Sequence, residues 1–342
     1  MTMKKLIWML SLILVGACTS GTPGGGQDAT SDAGDVAVDE GNTEPDVVLD
    51  AGTDSGTNTI PDAAADVNDD PFAGVDLTPD PNCEGAYIIG TSGSVVGEDN
   101  EPIDEAFVQA CLVSFDDGQY VCMAPKKTKQ DGSFAFLMPD ELRCLASVTM
   151  RILKPARAVI TEYCDMDLTD PNVIVHWEDP FMLYDTYDPT EIPEEGDAEV
   201  ERTVVLYDGV EIDMIPSKFF SGGAPYEELT SRRLPADAKV CAPKSAPVEF
   251  EGIYVFQPEA DVFHTTFNTR LPNDYGLEAG DQVDLYVMGG LSCGLLNGDK
   301  VGEVEWAHYG VGTVEETGAF IEATGDNGLP CMVWLGLDIP TP

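Results

Sequence analysis

Apolar and polar side chains alternate with a period of two over most of the chain beyond residue 86, the pattern of strands with one face buried. Ala86-Tyr87-Ile88-Ile89 opens the series and Gly93-Ser94-Val95-Val96 continues it. Phe107, Gln109, Cys111, Val113 and Phe115 share one face of the next strand. Asp116-Asp117-Gly118 then reads as a turn, with residues 120–123 returning as the hairpin partner. Asp131-Gly132 marks a second turn before Phe134 and Phe136, and residues 145–153 form a strand that ends ahead of Pro155. From Glu199 the alternation resumes over residues 203–207, 210–215, 248–256, 282–288, 302–306, 312–324 and 332–337, punctuated by Asp208-Gly209 and by the turn 277–281. Short strands and tight turns at this spacing predict an all-β fold of two antiparallel β-sandwich modules, at residues 83–165 and 197–342. Residues 166–196 carry acids and the steps Asp170-Pro171, Asp179-Pro180 and Asp188-Pro189, and are expected to be a linker.

Two different textures precede the strands. Lys4 and Lys5 lead into a run, residues 6–14, that is apolar apart from Ser11, followed by Val15-Gly16-Ala17-Cys18. A transmembrane helix needs about 20 apolar residues, so this run is too short to span and fits an export signal. Residues 19–82 hold 15 acids, no base and one aromatic, Phe72, with nine Gly and six Pro scattered among them. Such a stretch cannot bury enough apolar area to offset its ordering entropy, so a disordered acidic tether is expected. As a flexible chain it would span roughly 45 Å. Asp66-Val67-Asn68-Asp69-Asp70 is the nearest approach to a calcium loop, but it lacks the Gly and the closing Glu, which leaves diffuse counter-ion binding.

Charge narrows the set of partners. The 342 residues carry 62 acids against 17 bases, a net of −45, and residues 83–342 alone carry 47 against 15. Phosphate recognition needs clustered Lys and Arg, so nucleic acid is excluded as a partner. The excess acid favours solubility and mutual repulsion at a crowded surface.

Two stretches resemble known families. The order apolar-small-small-Cys at residues 15–18 resembles the lipobox of bacterial lipoproteins, with Val15 where Leu is commonest. The resemblance implies a signal peptide over residues 1–18 and an acylated Cys18 as the mature N-terminus. Thr19 after it, where an Asp would imply inner-membrane retention, implies a cell outer membrane location. Two or more acyl chains anchor a protein stably. Gly93-x-Val95, Pro102-Ile103, Ala106, Val108 and Thr128-x-x-Asp131-Gly132-x-Phe134-x-Phe136-x-x-Pro139 resemble the carboxypeptidase regulatory-like (transthyretin-like, Cna-B-type) domain, over roughly residues 86–155. Asp104-Glu105 departs from that family's small residue and Gly. The family implies a β-sandwich with structural or adhesive roles and no catalytic residues. Some members carry a Lys–Asn isopeptide bond from a first-strand Lys; no Lys lies between Lys5 and Lys126, so none is expected here.

Besides Cys18 there are eight cysteines: Cys83, Cys111, Cys122, Cys144, Cys164, Cys241, Cys293 and Cys331. An even count in an exported chain implies disulfides, each contributing roughly 2–4 kcal/mol. Cys111 and Cys122 flank the 116–118 turn almost symmetrically and suit a cross-hairpin bridge; Cys293 with Cys331 suits the second module. Cys83, Cys144, Cys164 and Cys241 stay unassigned, with Cys164–Cys241 a candidate link between modules. A zinc site is disfavoured, because no Cys-x₂-Cys pair exists and His176, His264 and His308 are isolated.

Motifs for catalysis are missing: there is no Gly-x-Ser-x-Gly, His-Glu-x-x-His or Walker-type sequence. His176 is followed by Glu178, the wrong spacing for a metallocarboxypeptidase. Paired acids such as Glu194-Glu195, Glu227-Glu228 and Glu315-Glu316 read as solvated surface. Trp177, Trp306, Trp334, Tyr309 and Tyr226 read first as core and second as a sugar-stacking platform. The expectation is a non-enzymatic surface lipoprotein without cofactor or metal. Its partners would be the membrane, through the lipid, and a surface protein or glycan. The alternatives are a carbohydrate-binding accessory and a hydrolase with an unrecognised site.

Overall fold

The computed structural model describes residues 71–154, 159–169, 172–192, 198–221, 228–290 and 292–340. The chain divides into two units, Met1–Ala64 and Ala65–Pro342. The export signal, Cys18 and the acidic stretch as far as residue 70 lie outside the described residues. Of the stretch expected to be tether, residues 71–82 are described, and Phe72 sits edge-on to His176 with ring centroids 6.3 Å apart.

The fold is all-β; among the described residues the helical turns are short 3₁₀ segments such as Ala242–Ser245. The first body contains β1 (Ala86–Tyr87), β2 (Gly90–Gly97), β3 (Phe107–Ser114), β4 (Tyr120–Cys122), β5 (Lys126–Lys127) and β6 (Ser133–Leu137). It is completed by β7 (Cys144–Leu153), β8 (Glu162–Asp165), β9 (Ile174–His176) and β10 (Phe181–Leu183). One sheet runs β1-β7-β3-β4, with β5 on β3 and β8 on β7; the other runs β10-β2-β6, with β9 also on β2. The alternation of β3 puts Val108, Ala110 and Leu112 into the core between them, facing Phe134 and Phe136 of β6. Gln109 and Cys111 on the opposite face are thereby turned toward the second body. The Asp131-Gly132 turn requires its glycine: φ is 74°, and a Cβ would stand 2.5 Å from the Val95 carbonyl oxygen.

Residues 166–196 are not a free linker. β9 and β10 lie along the edge of β2 opposite β6, both parallel to β2. The Asp-Pro steps hid them, but Phe181-Met182-Leu183-Tyr184 is buried throughout.

The second body contains β11 (Thr190–Glu191), β12 (Arg202–Val205), β13 (Glu211–Met214), β14 (Phe219–Phe220), β15 (Glu228–Arg233) and β16 (Gly252–Val262). It continues with β17 (Thr269–Pro272), β18 (Gln282–Met288), β19 (Trp306–Val314), β20 (Phe320–Ala323) and β21 (Cys331–Asp338). These form one hydrogen-bonded order, β11-β15-β16-β21-β18-β19-β20-β17-β13-β12, with β14 on β16. Its ends come together: Thr190 Oγ1 donates to the Val205 carbonyl at 3.2 Å, and Ser231 Oγ donates to Asp208 Oδ1 at 2.7 Å. The sandwich-like core is thus enclosed by a single sheet folded round on itself. Its central strand β21 is buried from Cys331 to Leu337. Residues 302–306, expected as a strand, are instead mostly a turn, with Val304 at φ 67°.

The two cores are joined through shared strands. Ile160 and Tyr163 beside or within β8 enter the second core, whereas Val159, Cys164 and Met166 enter the first. β10 divides in the same way, with Phe181 and Leu183 in the first core and Met182 and Tyr184 in the second. Side chains that alternate across a strand let one backbone serve both bodies.

Candidate functional site

The seam between the two bodies holds a group of buried polar side chains, among them Arg151, Thr161 and Glu162. β7 and β8 pair so that Arg151 faces Tyr163 and Ile152 faces Glu162. The Arg151 guanidinium lies 5.7 Å from the Tyr163 ring centre. Its Nη1 donates to Gln109 Oε1 at 3.0 Å and its Nη2 to Glu303 Oε2 at 2.8 Å. Tyr120 OH donates to the same Glu303 oxygen. The Arg151 and Glu303 side chains are only 11% and 9% exposed, so this is a desolvated pair whose rupture would strand a charge. Tyr163 OH lies 2.6 and 2.7 Å from the two carboxylate oxygens of Glu259. Burial pushes the Tyr163 hydroxyl well above its ordinary range, and the Glu259 charge adds to this. Gln257 Nε2 donates to Thr161 Oγ1 at 2.8 Å, and Trp334 Nε1 donates to the Thr161 carbonyl at 3.1 Å. First-body strands β3, β4, β7 and β8 are tied in this way to β16, β21 and the 303 turn.

Glu162 is 1% exposed. Its Oε1 accepts the Cys241 N–H at 2.5 Å and lies 3.6 Å from Cys164 Sγ. Its Oε2 is buried without a hydrogen-bond partner. Desolvation raises its pKa to about 8, against the opposing pull of the Cys241 and Ala242 N–H groups and of Lys244. The carboxyl is therefore mainly protonated at neutral pH.

Eight cysteines close four disulfides: Cys83–Cys144, Cys111–Cys122, Cys164–Cys241 and Cys293–Cys331. The first two brace the first body, and the last braces β21 against the loop after β18. Cys164–Cys241 covalently joins β8 to the 3₁₀ segment of the second body. Two bridges each have a carboxylate oxygen within 4.8 Å of both sulfurs: Glu303 beside Cys111–Cys122, and Glu162 beside Cys164–Cys241. With the sulfurs bonded to each other, neither group has the thiolates that a metal would require.

An open cleft of about 520 Å³ lies on the second body, lined by Thr266, Leu295, Asn297, His308, Tyr309 and Asp326 among others. His308 Nε2 contacts Asp284 Oδ1 at 3.1 Å beside it. Burial raises the Tyr309 hydroxyl above its ordinary range.

The aromatics that sequence grouped as a sugar platform are dispersed. Trp334 is 1% exposed. Trp306 packs on Phe250 at 4.6 Å and donates to the Ala242 carbonyl. Trp177 packs on Phe181 at 4.7 Å in the first body. Tyr309 alone of the described four lines the cleft, and Tyr226 is outside the described residues. Exposed aromatics lie elsewhere: Phe220 and Phe263 stack at 5.2 Å with 47% and 42% exposure. Sequence gave no sign of Glu162, one acid among 62, because its burial is set by the docking of two bodies.

No protein-family model matches the chain, and no curated protein does. Among solved structures, the chain is similar to the major pilin SpaA of Corynebacterium diphtheriae. That match has 10% identity, covers 74% of this chain and 91% of the other, and has a TM-score of 0.22. The chain is also similar to BcpA, the major pilin subunit of Bacillus cereus, at 11% identity, with 74% of this chain and 59% of the other covered and a TM-score of 0.18. Likeness of this degree carries no argument about this chain.

Proposed function

We propose that the protein is a lipoprotein held at the outer membrane through Cys18, with a non-catalytic head that acts by binding or as surface architecture. In this reading the first body is a carboxypeptidase regulatory-like sandwich. The observation that carries the proposal is the build of the head: two cores share strands, one disulfide ties them together and three more brace them from within, which suits a rigid body in an oxidising compartment. Hydrolysis by a triad needs one histidine between hydroxyl and carboxylate. Ser92 Oγ meets His176 Nδ1 at 2.6 Å on the first body, whereas Asp284 meets His308 on the second, so the two half-triads use different histidines.

A second reading, a carbohydrate-binding accessory, is favoured by the cleft, where one aromatic ring lies among hydroxyl, amide and carboxylate groups. Feeding alkyne-palmitate to cells making the full chain and its Cys18→Ser variant tests the anchor. Label on the membrane fraction that Cys18→Ser abolishes is expected; a soluble, unlabelled parent protein overturns the anchor. A glycan array probed with the head, in parallel with Asn297→Ala, tests the second reading, which falls if the head binds no glycan.

A further inference from the structure

We propose that Cys164–Cys241 is a reducible tie between the two bodies, opened by a dithiol reductant, with Glu162 as the proton donor to the departing sulfur of Cys164. Three observations converge on this bond. It joins the bodies, since Cys164 belongs to β8 and Cys241 begins the 3₁₀ segment at Ala242–Ser245. Its two ends differ in burial, because Cys164 is fully buried while Cys241 is half-buried, which makes Cys241 the end that an incoming thiolate meets first. A sealed-in carboxyl stands against it: Oε1, which accepts the Cys241 N–H, lies 3.6 Å from Cys164 Sγ, and Oε2 is buried without a hydrogen-bond partner. Among the described residues Lys244 is the charged side chain acting on it.

The chemistry follows from that asymmetry. A thiolate of the reductant attacks Cys241 Sγ, a new S–S bond forms to it, and the Cys164–Cys241 bond breaks. A thiolate leaving at Cys164 would be a desolvated anion, so the Glu162 carboxyl protonates it as it departs. The reductant's second thiolate then attacks its own sulfur in the mixed disulfide. Cys241 leaves as a thiolate, takes a proton from solvent, and the reductant departs as a disulfide. Glu162, now a carboxylate, is reprotonated from solvent. Overall, two electrons and two protons pass from the dithiol to the cysteine pair.

Cys111–Cys122 supplies an internal control. It too pairs a buried sulfur with a half-buried one beside a glutamate, but Glu303 is engaged by Arg151 at 2.8 Å. The experiment treats the folded head with dithiothreitol, quenches it by alkylation, and follows each bridge by peptide mass spectrometry. In the parent protein, the opening rate of Cys164–Cys241 per unit thiolate should be flat below about pH 8 and fall tenfold per pH unit above it, as Glu162 loses its proton. The rate at Cys111–Cys122 should show no such bend. Glu162→Gln keeps an acceptor for the Cys241 N–H but has no proton to give. It should slow opening of this one bond by about 100-fold, with the other three unchanged. A profile at Cys164–Cys241 that is flat through pH 9.5, or an unchanged rate in Glu162→Gln, overturns the proposal. Should the variant disturb the other three bridges, the parent profile alone decides.

Discussion

Replacing Glu162 by Gln should stabilise the head at neutral and alkaline pH, against the usual expectation for a buried polar residue. In the folded chain the carboxyl titrates at about 8; its ordinary value is 4.5. Below pH 4.5 both states are protonated and the residue adds no pH dependence. As pH rises from 4.5 to 8, the unfolded chain releases the proton while the folded chain keeps it. Folding stability is therefore lost across that window and levels off above it. At 1.36 kcal/mol per pH unit, the loss is on the order of 3 kcal/mol at pH 7 and on the order of 4 kcal/mol at pH 8. Glutamine is neutral in both states and escapes this loss. Subtracting the parent's stability from the variant's at each pH cancels the other titrating groups. The assay is guanidinium unfolding with all four bridges intact, at half-unit steps from pH 4.5 to 9. The difference curve should rise by several kcal/mol and flatten near pH 8 to 9. A difference curve that is level across the range would show that Glu162 is ionised in the folded protein, and the account of its burial would be wrong.

Three further outcomes follow from the seam. Arg151→Met should cost about 3–5 kcal/mol by leaving Glu303 buried without its cation, and Arg151→Met with Glu303→Leu should restore most of it; matched denaturation midpoints for single and double variants would refute the coupling. Removing Cys164 and Cys241 together by alanine should cost about 4 kcal/mol, because the pair spans 77 residues, whereas Cys111 with Cys122, spanning 11, should cost about 3; differential scanning calorimetry reads both. Gly289→Ala would place a Cβ 2.1 Å from the Gly302 carbonyl oxygen, which is backbone and cannot step aside, so a loss of about 1–3 kcal/mol or more and a disturbed near-ultraviolet spectrum around the 303 turn are expected.

Elements whose side chains alternate cleanly were legible from sequence. β18 is an example, where Val283, Leu285 and Val287 are buried and the residues between them are less so. Turns fixed by glycine were legible for the same local reason: Gly118, Gly132 and Gly209 all have positive φ. β15 was missed because Glu-Leu-Thr-Ser-Arg-Arg looks like surface. Thr230 and Ser231 are nevertheless buried, their hydroxyls satisfied by the Tyr187 carbonyl and by Asp208. β9 and β10 were missed because proline and acid weakened the pattern, and pairing with β2 outweighed that local preference. The seam was illegible for a deeper reason. Arg151, Glu259 and Glu303 are far apart in sequence, and only docking of the two bodies removes water from around them.

The bridge from Cys83 to Cys144 has a mechanical consequence. Cys83 is three residues ahead of β1, and Cys144 begins β7, which lies between β1 and β3 in its sheet. A pull arriving along the backbone from the N-terminal side is handed through sulfur to that interior strand before it can peel away the two-residue β1. Load then falls on the long β7–β3 ladder in shear, so the head should resist tension from that end as a block rather than unzip from its margin.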